Sequence, residues 1–403
     1  MTETIKTFDL DKIENLHNLY RVRQERLRSI MKAVGLPALV ILDPGNITYA
    51  CGARNMPIFG QRIPARYLLL IAEGPAILYE YAGSEHLATN LPTLDDILPA
   101  LGLCQISSGG KADLAANLFT QQIVSVFKDF NLEIDQLGID RFPYPIVDAL
   151  RSAGFELRHA DDAMIPARAI KQTEELSYMR EAIRRVECAT KGFEEKIKPG
   201  LREVDIWAEL HHGLITGEGQ YLSTRLCQSG DNTFPYFQEC GPRVLTAGDL
   251  ICLDTDAIGY HDYAVDFSRS FLCGDQAATN IQKKLYGRAF DQLETNAGLL
   301  KVGLEYRELA EKAWKVPDEH QSSRYYCIGH GLGMSGEFPN IPPVKPGEEY
   351  PLEGHLEAGM IICIESYIGS EKAGQGVKLE DQFLIGDNQV ERLSNYRFDS
   401  RLA

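Results

Sequence analysis

Apolar and polar positions along the first half of the chain follow two periodicities, one typical of helices and one typical of strands. Long stretches carry apolar residues at helical spacing, and short apolar runs such as YLLLIA (67–72) are typical of buried strands. The pattern predicts helices at 14–34, 113–130 and 145–153 and strands at 38–42, 67–72 and 76–81. Helices interspersed with strands indicate an α/β domain.

The second half follows a polar, proline-containing stretch at 158–175, which we interpret as the connection between two domains. A long helix should begin near Thr173, where the sequence T-E-E offers a cap and a first turn. The pattern then predicts helices at 173–195, 203–217, 278–298 and 305–314 and strands at 249–256, 263–273, 359–368 and 377–386.

Composition and charge narrow the class of protein. A chain of 403 residues with 44% hydrophobic and 24% charged residues predicts a soluble globular protein of two or more domains. The absence of a long apolar run and the polar, acidic start predict a cytoplasmic protein without a membrane span or signal peptide. A formal charge of -16 argues against nucleic acid or an anionic membrane as partner. Nine cysteines without a C-x-x-C pair are typical of reduced thiols.

Four aspartates crowd the stretch CLDTDAIGYHDYAVDFSRS (252–270), which otherwise resembles a buried hairpin. If the hairpin turns near His261, Asp256 lies opposite Asp266 and Asp254 points to the same face, whereas Asp262 belongs to the turn. Ionised carboxylates packed together away from water repel one another unless a cation neutralises them. The stretch therefore predicts a bound metal, with an exposed acidic loop as the alternative.

Three further polar residues lie in glycine-rich or apolar surroundings downstream. His330 stands among glycines, and Glu365 and Glu380 each interrupt an apolar strand pattern. Together these positions predict a ligand set rich in oxygen with one imidazole, enough for two divalent ions that share carboxylates. Iron, manganese, cobalt and zinc all suit such a set. The predicted metal ligands are Asp254, Asp256, Asp266, His330, Glu365 and Glu380.

The order Asp, Asp, His, Glu, Glu resembles that of the pita-bread metallopeptidase family, which includes aminopeptidases, prolidase and creatinase. The resemblance implies an α/β (α+β) fold, with a smaller creatinase/prolidase-like α/β domain at 1–165 and a pita-bread metal-binding catalytic domain at 170–403. It also implies a homodimer. Thr255 stands where these peptidases typically place their first metal aspartate, with an aspartate on either side. This D-T-D arrangement is similar to that of the DddP-type dimethylsulfoniopropionate lyases, as are FQECGPRV, GDQA and KLEDQ.

Two departures from the peptidase pattern bear on activity. Tyr236 and Glu337 occupy places where aminopeptidases of the family carry histidines that bind the scissile amide and its tetrahedral intermediate. Peptide or amide hydrolysis by a dinuclear metal site is therefore the alternative to a lyase. A non-catalytic binding module is a third possibility, although it gives no reason for six ligand residues.

The lyase resemblance implies β-elimination of dimethylsulfoniopropionate to dimethyl sulfide and acrylate. Gly336 replaces an aspartate that the lyases carry as a proposed proton acceptor, so the resemblance points to Tyr325 as base with Glu337 assisting, or else to a different substrate. The expected partner is a small zwitterionic sulfonium molecule, whose cation favours aromatic faces. The candidate substrate-binding aromatics are Trp207, Phe234, Tyr236, Phe237, Tyr325 and Tyr326.

Overall fold

The computed structural model describes residues 10–64 and 66–403, and the chain divides into two compact units between Arg168 and Ala169. We describe each unit separately. In the described part of the chain, none of the helices combines the length and apolarity needed to cross a bilayer.

The first unit is built on a mixed sheet, which supports the predicted α/β class. Its helices are α1 (Leu10–Ala33), α2 (Pro44–Cys51), α3 (Pro57–Arg62), α4 (Ala112–Asp129), α5 (Tyr144–Ser152) and α6 (Asp161–Ala169). Its strands are β1 (Ala38–Ile41), β2 (Tyr67–Ile71), β3 (Ala76–Glu80), β4 (Asp96–Pro99), β5 (Gln136–Ile139) and β6 (Glu156–His159). Among the described residues the strand order is β4-β3-β2-β1-β5-β6, with Phe119 and Ile123 of α4 packed into the core beneath Val40 and Leu69.

The division between the two units falls within the stretch 158–175 that we interpret as a connection, but much of this stretch is helical. The stretch contains the end of β6 and the whole of α6, whose apolar side chains Ala163, Met164 and Ala167 are buried. Pro166 lies inside α6, and a proline within a helical pattern is ordinarily a sign that no helix continues there. The predicted helix near Thr173 is confirmed as α7 (Thr173–Lys196), which begins with a capping box between Gln172 and Glu175.

The second unit contains a larger sheet with helices packed against it. Its remaining helices are α8 (Glu203–Thr216), α9 (Asn280–Ala297) and α10 (Tyr306–Lys312). Its strands are β7 (Tyr221–Leu222), β8 (Cys227–Ser229), β9 (Leu250–Asp254), β10 (Ala257–Ile258), β11 (Ala264–Val265), β12 (Ser268–Leu272), β13 (Gly329–Leu332), β14 (Gly336–Ile341), β15 (Ile361–Ser370), β16 (Gln375–Ile385) and β17 (Val390–Arg392). The order is β14-β13-β15-β16-β12-β9-β8, with β17 paired to β16, and β11-β10-β7 form a small sheet.

The predicted hairpin register is confirmed, although the hairpin is broken. Asp254 pairs with Ser268 and Ala257 with Val265, as the predicted turn requires. Between these pairs Asp256 adopts a φ of 37°, in the left-handed region that aspartate tolerates better than most residues. The long strands predicted at 249–256 and 263–273 are therefore split into β9 with β10 and β11 with β12.

Strand alternation separates the core of the second unit from its polar face. Ile362, Ile364 and Ile368 of β15 belong to an apolar cluster with Ala289 and Leu293 of α9. Because successive side chains of a strand point to opposite faces, Cys363, Glu365 and Tyr367 lie on the face away from α9. That face of the sheet carries the polar residues described below.

Candidate metal centre

Four polar residues from four neighbouring strands form one row across the polar face. Glu365 of β15 pairs with Glu380 of β16. Glu380 in turn pairs with Ser268 of β12, and Ser268 pairs with Asp254 of β9. The Ser268 hydroxyl lies 2.8 Å from both Asp254 Oδ1 and Glu380 Oε2. The pairing of distant strands, rather than any local motif, therefore brings these three carboxylates together.

His330 and Asp266 complete the centre beside this row. His330 Nε2 lies 3.7 Å from Asp266 Oδ2, 3.5 Å from Glu365 Oε1 and 3.6 Å from Glu380 Oε1. Strand β13 can approach β15 this closely because residue 329 is a glycine. A Cβ there would lie only 2.4 Å from the carbonyl oxygen of Cys363, which is too close for any other residue. A glycine beside His330 thus has a direct steric role in positioning β13.

The donor atoms fit a divalent cation. Ligand atoms of Asp266, His330, Cys363 and Glu380 all lie within 4.8 Å of one another, and all four residues are buried. Asp266 Oδ1 and Glu380 Oε1 are buried without a hydrogen-bond donor among the described residues. Buried carboxylate oxygens without donors are costly, and a cation bound between them would remove that cost.

Lys378 is a cation that the sequence reasoning missed. Its fully buried Nζ lies 3.2 Å from Asp254 Oδ2, 2.6 Å from Glu365 Oε2 and 2.8 Å from Glu380 Oε2, and it donates to Ser268 Oγ at 2.7 Å. Since Lys378 precedes Glu380 by two residues in a strand, both side chains share one face. The spacing of two residues between Lys378 and Glu380 could have predicted that the lysine lies beside the metal ligands.

Burial and mutual repulsion raise the pKa values of carboxylates in the centre, whereas Lys378 and hydrogen bonds lower them. Burial and the charge of Glu380 raise the pKa of Asp266. Burial alone would also raise the pKa of Asp254, but Lys378, Tyr236 and Ser268 outweigh it and hold that pKa below its usual value. His330 has a raised pKa because Glu365 and Glu380 outweigh the opposing effect of burial. Lys378 thus places an ammonium group among these carboxylates.

Asp256 lies at the edge of the same group. Its carboxylate accepts a hydrogen bond from Thr224 Oγ1, another residue that the sequence reasoning missed. Burial and the neighbouring charge of Asp254 raise the pKa of Asp256 to about 7. Of the six predicted ligands, five are therefore joined through direct contacts or shared partners, and Asp256 is joined to them by its electrostatic effect on Asp266.

Aromatic rings line one side of the centre. The Tyr236 hydroxyl donates to Asp254 Oδ2 at 2.7 Å, and the Lys378 ammonium lies 5.0 Å from the ring centre of Tyr325. Phe237 stacks on Tyr325 with ring centres 5.4 Å apart, and Tyr326 lies 4.9 Å from Tyr325. Phe237 and Tyr326 are each 54% exposed, so the aromatic wall runs from the buried carboxylates to the surface. We call these four residues the aromatic wall.

Two predicted substrate-binding residues, Trp207 and Phe234, have other contacts within the second unit. Trp207 is buried in an apolar cluster with Leu210 and Phe193, because its position on α8 faces that core. Phe234 packs against Gly369.

Glu337, the predicted assistant base, has a partner at each of its two carboxylate oxygens. It forms a buried ion pair with Lys171 Nζ at 2.8 Å and accepts a hydrogen bond from the backbone of Met334 at 2.9 Å. Its carboxylate lies against Gly333, where any side chain would collide with it.

Comparisons with known proteins agree with this geometry. The profile of metallopeptidase family M24 matches residues 177–387. The dimethylsulfoniopropionate lyase DddP of Roseovarius nubinhibens is 32% identical over 96% of this chain and 89% of its own length, and that of Roseobacter denitrificans is 32% identical over 97% and 88%. The prolidase of Thermococcus sibiricus superimposes with a TM-score of 0.77 at 20% identity over 98% of this chain and 99% of its own, which confirms the pita-bread fold. The chain therefore belongs to metallopeptidase family M24, and it resembles the DddP lyases over nearly its whole length.

Proposed function

We propose that this protein is a metal-dependent lyase that cleaves dimethylsulfoniopropionate into dimethyl sulfide and acrylate. The observation that carries the proposal is the aromatic wall beside an anionic centre, a combination that suits a small molecule with a cationic sulfonium group and a carboxylate. The full-length similarity to two DddP lyases supports the same choice.

We further propose that Asp254, Asp256, Asp266, His330, Glu365 and Glu380 hold two divalent ions. Bound there, the ions would offset the carboxylate charge and stabilise negative charge that develops on the substrate carboxylate as the α-proton leaves. The chain's own contribution is to keep these ligands in place. Hydrogen bonds and ion pairs from Ser268 and Lys378 hold the carboxylates of Asp254, Glu365 and Glu380.

Tyr325 is the base in this proposal. Its phenolate oxygen would accept the α-proton, the released electron pair would form the Cα–Cβ double bond, and the Cβ–S bond would break with its pair leaving on sulfur. Burial and the charge of Glu365 raise the pKa of Tyr325, whereas Lys378 lowers it. The phenol therefore becomes a base only when positive charge nearby outweighs those carboxylates.

Glu337 is a weaker candidate for this proton transfer, because its carboxylate is held by Lys171 and the backbone of Met334. The rest of the aromatic wall would orient the sulfonium group and exclude water while the bond breaks.

Hydrolysis of a small amide or dipeptide is the second candidate, since the family and the prolidase-like fold are those of metal-dependent hydrolases. Against it, the Tyr236 hydroxyl donates to Asp254, and Tyr236 stands at a place where the resemblance to the peptidases implies a histidine that binds the scissile amide.

The test is headspace gas chromatography of dimethyl sulfide, using purified protein of measured metal content and dimethylsulfoniopropionate. We expect sulfide from the wild type, none from Asp266→Ala, and about a 100-fold or greater loss of kcat in Tyr325→Phe with metal content unchanged. Tyr326→Phe is the matched control, because it removes a neighbouring hydroxyl from the exposed end of the wall. Absence of sulfide from metal-loaded wild type would refute the lyase, and dipeptide hydrolysis by the same sample would establish the second candidate.

A further inference from the structure

A cavity of about 100 Å³ lies between α9, the segment that follows α10 and the segment that leads into β13. Much of its wall is apolar, with Ala310, Ala313, Val316, Ile328 and Val344 contributing. The proposed lyase chemistry makes no use of this space. Five amide, ammonium and guanidinium side chains nevertheless line it: Gln292, Asn296, Lys315, Gln321 and Arg324. Gln321 is exposed and donates its NH₂ group to the backbone oxygen of Val316 at 2.6 Å.

Asn296 of α9 presents a donor without an acceptor. The backbone N–H of Trp314 donates to Asn296 Oδ1 at 2.8 Å, which fixes the oxygen end of this amide, so its NH₂ group is directed elsewhere. That NH₂ group donates to no residue that the structure describes, although Asn296 is only 1% exposed. The amide of Gln292, one turn earlier, lies 2.8 Å from the Ser366 hydroxyl, which can donate its single proton to the backbone oxygen of Ala289, also at 2.8 Å.

Arg324 adds a positive charge to the same cavity. Its side chain is half-buried, and its guanidinium group makes no ion pair or hydrogen bond within residues 10–64 and 66–403. Lys315 also lines the cavity, with Nζ donating to the backbone oxygen of Glu311 at 2.6 Å. No described aspartate or glutamate lines it, in a chain whose formal charge is -16. A partly desolvated cation and a buried unpaired donor that line one cavity favour an anion there.

We propose that this cavity binds a small monocarboxylate with a short apolar body. The carboxylate would accept from Arg324 and from the NH₂ group of Asn296, and the hydrocarbon part would contact the apolar wall. The apolar wall favours a carboxylate over inorganic phosphate, which has no hydrocarbon to bury. Tyr325 forms part of this wall and also faces the metal centre, so an occupant would contact a residue of the proposed active site.

Propionate is the probe, titrated into the metal-loaded full-length protein. Trp314 lines the cavity and is one of two tryptophans, so its fluorescence reports binding, with titration calorimetry as the second readout. We expect saturable propionate binding that weakens about 10- to 100-fold in Arg324→Gln and recovers in part in Arg324→Lys. Arg151→Gln is the matched control, because it removes the same charge from an exposed helix end in the other unit.

Four results would overturn the proposal: no saturable binding in the wild type, equal affinity for propionate in Arg324→Gln, equal affinity for neutral propanamide, or tighter binding of inorganic phosphate. Asp266→Ala separates this site from the metal centre. We expect the Trp314 signal to persist in that variant, and its loss would show that propionate binds at the metal ligands instead. Since sulfide release is not measured, the outcome does not depend on the proposed lyase function.

Discussion

Replacement of Lys378 by methionine tests whether the carboxylate centre depends on an internal cation. The substitution keeps the length of the side chain but removes an ammonium group that lies within 3.2 Å of oxygens from Asp254, Glu365 and Glu380. Loss of one partner from a buried ion pair costs about 3–5 kcal/mol. For a unit of this size each kcal/mol lowers the melting temperature by about 2–4 °C, so the metal-free variant should melt about 6–20 °C below the wild type.

The assay is thermal unfolding with and without added divalent metal. Metal should restore most of the lost stability, because a bound ion neutralises the same carboxylates that Lys378 neutralises. Lys372→Met is the matched control, since Lys372 lies exposed in the turn between β15 and β16 and its loss changes the net charge equally. An equal decrease with and without metal would assign the effect to packing. A decrease no larger than that of Lys372→Met would refute the electrostatic reasoning altogether.

Three further outcomes are expected. The pKa of Asp256 is raised to about 7, so the folded metal-free protein holds a proton that the unfolded chain releases above about pH 4. The free energy of unfolding should therefore fall as pH rises through 7. Urea unfolding with a chelator should show this loss, and the Asp256→Asn variant should have a flatter pH profile. Glu337→Gln breaks the buried pair with Lys171 and should lower the melting temperature while kcat per bound metal stays unchanged; a large kcat loss at unchanged stability would instead make Glu337 a catalytic residue. Phe237→Ala should raise KM for the sulfonium substrate about 2- to 30-fold with kcat preserved, and a pure kcat effect in steady-state kinetics would contradict a cation-binding role.

Local geometry explains what the sequence could predict about the centre. Strand alternation and one assumed turn were enough to place Asp254 and Asp266 on the same face, because the register of a hairpin depends on residues close together in the chain. The break at Asp256 was not predictable, since its left-handed backbone depends on how the hairpin meets its neighbours. The contact between Glu380 and Ser268 likewise requires β16 to lie beside β12, a pairing of strands more than a hundred residues apart.

Residues that depend on tertiary packing were misjudged. Trp207 was taken as a substrate-binding candidate because it is aromatic, but the face of α8 on which it lies is buried in a core. Pro166 concealed α6, since proline inside a helix is usually disfavoured. The strand β13 was not predicted because its glycines have low strand propensity. Gly329 is nevertheless required there, since it allows β13 to approach β15 closely. In each case a neighbouring element overrides the local preference.

The alternation of β16 has a practical consequence for protein engineering. Glu380 faces the carboxylate centre, whereas Asp381 points to the other side and pairs with Arg269 at 2.7 Å. A single residue inserted in the strand before them would exchange these two faces, placing Glu380 against Arg269 and Leu379 in the former place of Glu380. The turn at 371–374 joins β15 to β16 and begins with two exposed residues. A short tag or reporter peptide therefore belongs in that turn, where added length leaves the strand register intact.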